Sequence, residues 1–248
     1  MSKSTEHPIP GLRLFSRLRR AGPDELSALR AIGVGDLSDC MHGMGVMDAG
    51  IRPMYAPMGR VYGPAVTVDL TPGDGLLLRA AVEAAQPGDV IVATSHGVVD
   101  RAILGGAVAM HMVHRGVAAL VVDGAIRDLA EFRALGLPVM ARAVMPRSGT
   151  SSAGWGDLNV PIACGGVVVS PGDIISGDDE GIAVVPQRSI AAVIAALGNT
   201  GHSIYDPEGV VKRLRELGPD AKVAGSDNLH RALKERHGTI LDRRWDDQ

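Results

Sequence analysis

Residues 121–128 read VVDGAIRD, an apolar run with an internal Asp-Gly that ends in the pair Arg127-Asp128. The apolar residues predict a buried strand, and the polar residues after it predict a turn followed by a helix over 128–135. In open α/β sheets, ligands bind beyond the carboxyl ends of strands, where helix N-termini present N–H groups to anions. The segment therefore predicts both an α/β fold and the place of a functional site within it.

The chain on either side of this segment extends the pattern. Strands are predicted over 60–70, 90–93, 117–122 and 138–141, with helices over 23–32, 36–44, 76–84 and 101–115. This alternation predicts a partly parallel sheet with crossover helices. Beyond residue 160, apolar stretches over 166–169, 173–175 and 182–185 are separated by Pro- and Gly-containing turns, which predicts a β-rich half before a helix over 188–197. We therefore expect an α/β fold with a mixed sheet.

Changes in composition suggest three parts of the chain. Residues 1–34 form an N-terminal extension with one helix, 35–197 a central α/β domain, and 198–248 a C-terminal extension. The last part is richer in charge and turn residues and has helical patterns over 208–217 and 228–236. We expect one domain with a helical extension at its C-terminus.

The composition excludes some classes of function. The 248 residues are 46% hydrophobic with a net charge of -3, and aromatic residues make up only 3%, so a nucleic-acid partner is not expected. Two widely spaced cysteines, Cys40 and Cys164, favour a reducing compartment. The polar start of the chain is unlike a secretory signal, and no apolar run reaches the roughly 18 residues of a membrane span. The expectation is a cytoplasmic protein with no membrane partner.

Arg127 and Asp128 are the strongest candidates for chemistry. A guanidinium matches a carboxylate with two parallel donors, and an Asp carboxylate is a hard ligand for a divalent cation. Structural roles compete with this interpretation. Asp128 is placed to cap the following helix, Arg127 could be a surface residue or pair with Glu131, and Asp123 could form the turn before Gly124.

Weaker candidates each have a structural alternative. His111 and His114 share a helix face at metal-ligand spacing, and His96 could be a base oriented by Asp100. Ser38 and Asp39 could line a pocket or cap a helix, whereas Asp74, which lies between glycines, matches no complete phosphate-binding loop. The pair Gly105-Gly106 is costly inside a helical pattern, which predicts a close approach of the backbone to another group.

Six segments occur in an order that resembles the RraA-like family. They span residues 45–53, 63–68, 86–90, 122–128, 136–139 and 164–173, and the resemblance runs from about Gly35 to Pro186. This family includes 4-hydroxy-4-methyl-2-oxoglutarate aldolases, 4-carboxy-4-hydroxy-2-oxoadipate aldolases and ribonuclease E inhibitors.

The resemblance implies a fold of the swivelling β/β/α type, assembled as a homotrimer or homohexamer with sites at subunit interfaces. It also implies an aldolase that uses Mg²⁺ or Mn²⁺ and decarboxylates oxaloacetate. By the same resemblance, Arg127 holds the carboxylate of pyruvate and Asp128 binds the metal. The backbone of Gly105, Gly106, Ala107 and Val108 receives the substrate, with the N–H groups of Ala107 and Val108 facing its carboxylate.

The chain departs from the family pattern at two points. The signature places an acidic residue twenty residues before Arg-Asp, and Gly106 stands there in this chain. The family's last helix supplies a Glu across the interface, whereas Ser189 to Leu197 has none, so Asp206 or Glu208 would have to replace it.

Retro-aldol cleavage of a 4-hydroxy-2-oxo diacid to pyruvate and a second oxo acid is the expected reaction. A metal-ordered water, or else His96, would take the hydroxyl proton. Two alternatives stay open: the same metal and enolate chemistry on a different oxo acid, and a non-catalytic regulator that binds an RNA-processing enzyme.

Overall fold

The computed structural model describes residues 12–151, 155–200, 211–212, 215–216 and 235. Contacts divide the chain into two units, residues 1–205 and residues 206–248. Within the described part of the first unit, the helices are α1 (Pro23–Arg30), α2 (Val34–Cys40), α3 (Leu76–Ala84), α4 (Gly106–His114), α5 (Leu129–Leu135) and α6 (Ile190–Thr200), the last preceded by a 3-10 turn at Gln187–Ser189. The strands are β1 (Arg13–Leu14), β2 (Arg52–Pro53), β3 (Val61–Leu70), β4 (Val90–Thr94), β5 (Ala119–Ile126), β6 (Val139–Val144), β7 (Gly156–Leu158), β8 (Ile162–Cys164), β9 (Val167–Val169), β10 (Ile174–Asp178) and β11 (Gly181–Val185).

One mixed sheet of nine strands organises the first unit. Its main path has the order β1-β7-β3-β4-β5-β6-β2, and the pairs from β3 to β6 are parallel. Helices α3, α4 and α5 connect these parallel strands, as the predicted crossovers require. A separate antiparallel hairpin is formed by β8 and β9. The predicted mixed α/β fold with a β-rich half is confirmed.

Strand β3 joins the two halves because it changes partners along its length. Residues 61–64 pair with β10, whereas residues 65–69 pair with β4. The exchange falls at Gly63-Pro64, where a Cβ on Gly63 would overlap the carbonyl oxygen of Gly88. Gly63-Pro64 therefore marks a change of partner within one continuous strand.

The central strands are apolar on both faces because both faces are covered. In β5, Leu120 and Val122 belong to the core under α3 to α5, while Ala119 and Val121 face the core that includes residues of β8 and β10. Buried parallel strands read as continuous apolar runs for this reason. A third core packs α1, α2 and α6 against β10 and β11.

Two predicted boundaries next to the site are wrong. The helix predicted from Arg101 begins at Gly106, because the Ile103 N–H donates to the Ala125 carbonyl (3.0 Å) and holds this segment extended beside β5. The strand predicted to end at Val122 continues to Ile126, with an irregular register between Val122 and Ala125. Tertiary pairing outweighed the local helix pattern and the turn signal at Asp123-Gly124.

The described residues of the second unit are helical. They are residues 211–212, 215–216 and 235, which fall within the two segments predicted as helices. Across the described ranges, no helix combines the length and apolar character needed to cross a bilayer.

Candidate functional site

A cavity of about 120 Å³ lies at the carboxyl edge of the parallel strands. Segments that follow β3, β4, β5 and β6 converge there. Its lining comprises Gly75, Arg79, Ala102, Ile103, Leu104, Gly105, Ala107, Val108, Arg127, Asp128, Ser148, Gly149, Thr150 and Ser151. Pockets for drug-sized ligands usually measure about 300–1,000 Å³. This one suits a small acid rather than a nucleotide.

Backbone hydrogen bonds hold the converging loops together. The Gly75 N–H donates to the Thr150 carbonyl at 2.9 Å, and the Gly149 N–H donates to the Ala102 carbonyl at 2.8 Å. The Thr150 hydroxyl donates to Asp74 Oδ2 at 2.8 Å, and Asp74 is only 5% exposed. The glycine-flanked Asp74 therefore ties two loops together and does not line the cavity.

Asp128 adopts the left-handed conformation, with φ 59° and ψ 44°. It occupies the N-cap position of α5, but its side chain makes no capping hydrogen bond there, so the alternative interpretation as a cap is wrong. Instead, Asp128 Oδ2 accepts from the Gly106 N–H at the start of α4, at 3.1 Å. Such a backbone conformation costs of order 1–3 kcal/mol and concentrates at functional sites. The turn aims the carboxylate at a neighbouring helix instead of its own.

Arg127 lies beside this carboxylate at the mouth of β5. Its N–H donates to the Leu104 carbonyl at 3.1 Å, which fixes the backbone. Its Nε lies 3.6 Å from Asp128 Oδ2, and the two side chains are 41% and 39% exposed. Both groups therefore line the cavity with surface left to meet a ligand.

The glycine pair lies where α4 starts, as the close-approach prediction requires. A Cβ on Gly105 would overlap Asp128 Oδ2, and one on Gly106 would overlap the Glu131 carboxylate. That prediction is confirmed. Gly105, Ala107 and Val108 line the cavity, whereas Gly106 lies behind its wall. The Val108 N–H already donates to the Gly105 carbonyl at 3.1 Å, and the role of this segment in substrate binding stays a prediction.

Arg79 is a cavity residue that sequence reasoning missed. It is exposed on α3 and lines the cavity together with Arg127. The charged residues among the lining are thus two arginines and one aspartate, Asp128. The signal in the sequence was weak, because Arg79 reads as the polar face of an amphipathic helix. Ser148, Thr150 and Ser151 also line the cavity, and their hydroxyl oxygens can accept hydrogen bonds.

The donor set fits a cation that keeps most of its water. Asp128 supplies a hard, half-exposed carboxylate. In the part of the chain that the structure describes, no group of three or more His, Cys, Asp or Glu residues could enclose a metal. Mg²⁺ is commonly bound through one or two carboxylates, with water and substrate oxygens completing its shell. Asp128 could hold Mg²⁺ or Mn²⁺ in that manner.

The structure gives the other candidates different partners. His96 Nε2 pairs with Asp69 at 2.9 Å, so the predicted pairing of His96 with Asp100 is wrong, and Asp100 contacts Arg101 instead. His111 pairs with Glu83 at 3.1 Å, which gives it a partner other than a metal. Ser38 and Asp39 lie inside α2 rather than at its N-cap, and Asp206 and Glu208 lie outside the described residues.

Asp123 is a buried strand residue, so its predicted role as a turn former is wrong. Its Oδ1 accepts from Arg142 Nε, and its Oδ2 accepts from the Gly165 N–H at 2.8 Å. Arg142 also forms a two-pronged pair with Asp48, at 3.0 and 2.8 Å. The hydrogen bonds that Arg142 donates lower the pKa of Asp48. The pKa of Arg142 is raised because Asp123 and Asp48 accept those bonds. This network fixes the strand that carries Arg127.

Comparison with known proteins connects this geometry to a family. The family model described as RraA-like, Aldolase/RraA, matches residues 34–184. A Halalkalibacterium halodurans protein, provisionally named a 4-hydroxy-4-methyl-2-oxoglutarate aldolase, is 38% identical over 170 residues, which are 68% of this chain and 80% of that protein. Among solved structures, Streptomyces coelicolor RraAS2, described as an unusual member of the RNase ES inhibitor RraA family, aligns with a TM-score of 0.66 and 27% identity. The alignment covers 79% of this chain and all of RraAS2.

A second solved structure supports the same fold. The RNA-processing inhibitor RraA from Thermus aligns with a TM-score of 0.57 and 28% identity, over 62% of this chain and 92% of its own. The names of these relatives cover both an aldolase and inhibitors, so the shared fold does not by itself choose between the two activities. Because the family model matches more than half of its length, this chain belongs to the RraA-like family.

Proposed function

We propose that this protein is a divalent-metal-dependent lyase that cleaves a 4-hydroxy-2-oxo diacid into pyruvate and a second oxo acid. One observation carries the proposal: Arg127 and Asp128 face the same small cavity beside the first turn of α4. A carboxylate and a guanidinium are thereby brought together at the end of one strand. Oxaloacetate decarboxylation passes through the same pyruvate enolate and should be a side activity.

Arg127 is proposed to bind the carboxylate of the 2-oxo acid. A guanidinium can donate two parallel hydrogen bonds to it and keeps its positive charge at all relevant pH values. The same charge stabilises negative charge that develops on the neighbouring keto oxygen when the C–C bond breaks. The Leu104 carbonyl and the Asp128 carboxylate hold Arg127 in place before the substrate arrives.

Asp128 is proposed to hold the metal. When bound there, Mg²⁺ or Mn²⁺ would act as a Lewis acid toward the 2-oxo acid. The left-handed turn at Asp128 points its carboxylate at α4, and the hydrogen bond from the Gly106 N–H fixes one oxygen. Asp128 keeps lone pairs for a cation because it has no capping bond to make in its own helix.

Arg79 is proposed to select a diacid over a monoacid. It shares the cavity with Arg127 but comes from a different helix, so the two guanidiniums can meet two separate carboxylates. A charge-assisted hydrogen bond of this kind contributes about 1.5–3 kcal/mol. Neutral hydroxyls on the wall formed by residues 148–151 can receive the 4-hydroxyl group.

We further propose a cytoplasmic homotrimer or homohexamer. Large apolar side chains lie exposed on the described surface, among them Met44 at 73% and Val168 at 68%. Contact between copies would remove such groups from water. Light scattering on the purified protein should give three or six times the 25.8 kDa chain mass, and a monomer would contradict the proposal.

A pyruvate-release assay tests the activity. The protein is incubated with Mg²⁺ and, in turn, with 4-hydroxy-4-methyl-2-oxoglutarate, 4-carboxy-4-hydroxy-2-oxoadipate and oxaloacetate, each with and without a chelator. Release that the chelator stops supports the proposal. No release from any of the three contradicts the aldolase, and turnover of only another oxo acid would favour the related lyase.

Its structural neighbours favour one second candidate, a regulator of RNA processing. Of the two aligned structures, one is named as a member of an inhibitor family and the other as an inhibitor, at 27% and 28% identity. Such a protein would act through its surface and would not need Arg127. Direct binding to a ribonuclease E that survives Arg127→Ala, together with no lyase activity, would select this function.

A further inference from the structure

We infer that Glu131 is a second carboxylate of the proposed metal site, positioned by the missing side chain of Gly106. The inference rests on the proposed function and adds a residue to it. Glu131 lies on α5 one turn beyond Asp128, so both carboxylates come from the same short helix start. Its role is to accept hydrogen bonds from the water shell of a cation held by Asp128.

The position of the Glu131 carboxylate carries the inference. A Cβ built on Gly106 would overlap Glu131 Oε2 and would lie against its Cδ. The carboxylate thus fills the space that any larger residue at position 106 would occupy. Glycine is a weaker helix former than alanine, and the space that it leaves here is taken by an acidic group.

Gly106 also connects Glu131 to Asp128. Its N–H donates to Asp128 Oδ2 at 3.1 Å, while the overlap at its Cβ position locates Glu131 Oε2. With standard covalent geometry, these two contacts place the two carboxylate oxygens at most about 7 Å apart. A cation with ligands at about 2.1 Å, plus one hydrogen bond of about 2.7 Å from its water, spans the same distance.

The two carboxylates of Asp128 and Glu131 balance the two guanidiniums of Arg79 and Arg127 before a ligand binds, so a cation would offset the charge that a bound acid adds. Arg127 is the cation paired with Asp128, at 3.6 Å, and a 2-oxo acid bound to Arg127 would bring further negative charge. Glu131 is exposed and does not line the cavity, so it has no direct contact with the substrate space. It is therefore a positioning residue for the water shell rather than a catalytic residue.

The chain contains a matched control for this arrangement. Glu180 Oε2 lies 3.3 Å from the position of a Cβ on Gly35, in the first turn of α2. An exposed glutamate thus faces a glycine at a helix start in both places. The Glu180 site is outside the cavity that holds Arg127 and Asp128. Glu180→Gln removes the same charge as Glu131→Gln without touching the proposed site.

The test measures Mn²⁺ binding to the full-length protein, by calorimetry and by the electron paramagnetic resonance signal of free Mn²⁺. Glu131→Gln should raise the Kd for Mn²⁺ about ten-fold or more, the usual effect of losing an outer-shell partner. Glu180→Gln should leave it unchanged, and Asp128→Asn should remove binding. Restoring a carboxylate from the other side, in the double variant Glu131→Ala with Gly106→Asp, should recover most of the affinity lost in Glu131→Ala.

The outcomes separate this inference from the proposed function. Binding that is lost in Asp128→Asn but unchanged in Glu131→Gln overturns the role of Glu131 and leaves the lyase standing. No Mn²⁺ binding by the unaltered protein overturns both. A fall in affinity matched by a fall in melting temperature, with no recovery in the double variant, would make Glu131 structural and also overturn the inference. If the double variant does not fold, the isosteric Glu131→Gln decides.

Discussion

Two neighbouring residues, Arg127 and Asp128, carry the chemistry proposed for this protein. The left-handed backbone at Asp128 lets its carboxylate reach the start of α4, while Arg127 and Asp128 both line the cavity. Their side chains lie 3.6 Å apart and both remain partly exposed. This arrangement leads to two predictions about single side chains.

Arg127→Ala should lower kcat/KM for pyruvate release about 10²–10³-fold, because it removes a donor that stabilises developing charge. Arg127→Lys should recover only part of the activity, since an ammonium keeps the charge but loses the two-pronged geometry. Steady-state kinetics on folded variants would check both. Equal activity of Arg127→Ala and the unaltered protein would remove the basis of the proposed function.

Asp128→Asn should abolish metal-dependent activity and leave the melting temperature nearly unchanged. Asn tolerates the left-handed conformation, so only the charge is lost. Asp128→Val should lose activity and also about 1–2 kcal/mol of stability, because a β-branched residue is strained there. Chemical denaturation of the two variants separates the backbone effect from the chemical one.

At the scale of elements, α3, α4 and α5 each bring one end to the cavity. All three are crossovers between parallel strands, so their N-terminal ends gather at the carboxyl edge of the sheet. Arg79 is on α3, Gly105 precedes α4, and Asp128 precedes α5. Gly105 allows the close approach of α4 and α5, because a Cβ there would overlap Asp128 Oδ2.

Gly105→Ala should reduce activity strongly with little change in fold. The backbone at Gly105 has φ -147°, which alanine accepts, but the new Cβ would overlap Asp128 Oδ2 and crowd Arg127. The control is Gly198→Ala in α6, where no atom of the described residues lies within 4 Å of a Cβ and stability should rise by about 0.5–1 kcal/mol. If both variants keep full activity, the α4–α5 contact is not part of the site.

Arg79→Gln should raise KM for diacid substrates about ten-fold or more, the equivalent of one charge-assisted hydrogen bond. Inhibition by pyruvate, which has one carboxylate, should hardly change because Arg127 remains. Comparing the two constants in the same variant tests the assignment. A parallel loss for pyruvate and diacid would instead place Arg79 at the shared carboxylate.

At the scale of the whole molecule, Arg142 joins parts of the chain that are distant in sequence. It pairs with Asp123 on β5 and Asp48 in the loop before β2, and Asp123 also accepts from the Gly165 N–H at the turn between β8 and β9. The two halves of the fold meet through these contacts. Asp123 is buried, so its carboxylate oxygens need these donors in the folded protein.

Arg142→Met should destabilise the protein by about 2 kcal/mol, because it leaves the Asp123 carboxylate short of a donor while keeping the apolar stem. The pKa of Asp48 is lowered by Arg142. The Asp48 carboxylate therefore stabilises the folded state fully above the ordinary Asp pKa, and this contribution is lost as pH falls through the lowered pKa of Asp48. The variant should lose less stability than the unaltered protein on acidification below about pH 4. Denaturation across pH checks this, with Arg101→Met, which alters an exposed pair, as the control.

Patterns in the sequence were enough to predict the fold class, the family and the edge of the sheet where Arg127 and Asp128 lie. Apolar periodicity and the order of strands and helices are local signals, so they can be read from the sequence without knowing which residues are in contact. The contacts of those residues are seen only in the folded structure. It extended β5 through Asp123, delayed α4 to Gly106, brought Arg79 into the cavity and placed Glu131 in the space beside Gly106. Strand pairing and close packing between distant segments contribute more to the free energy of folding than local propensity does. The space that a glycine leaves for a neighbouring side chain also has no local sequence pattern.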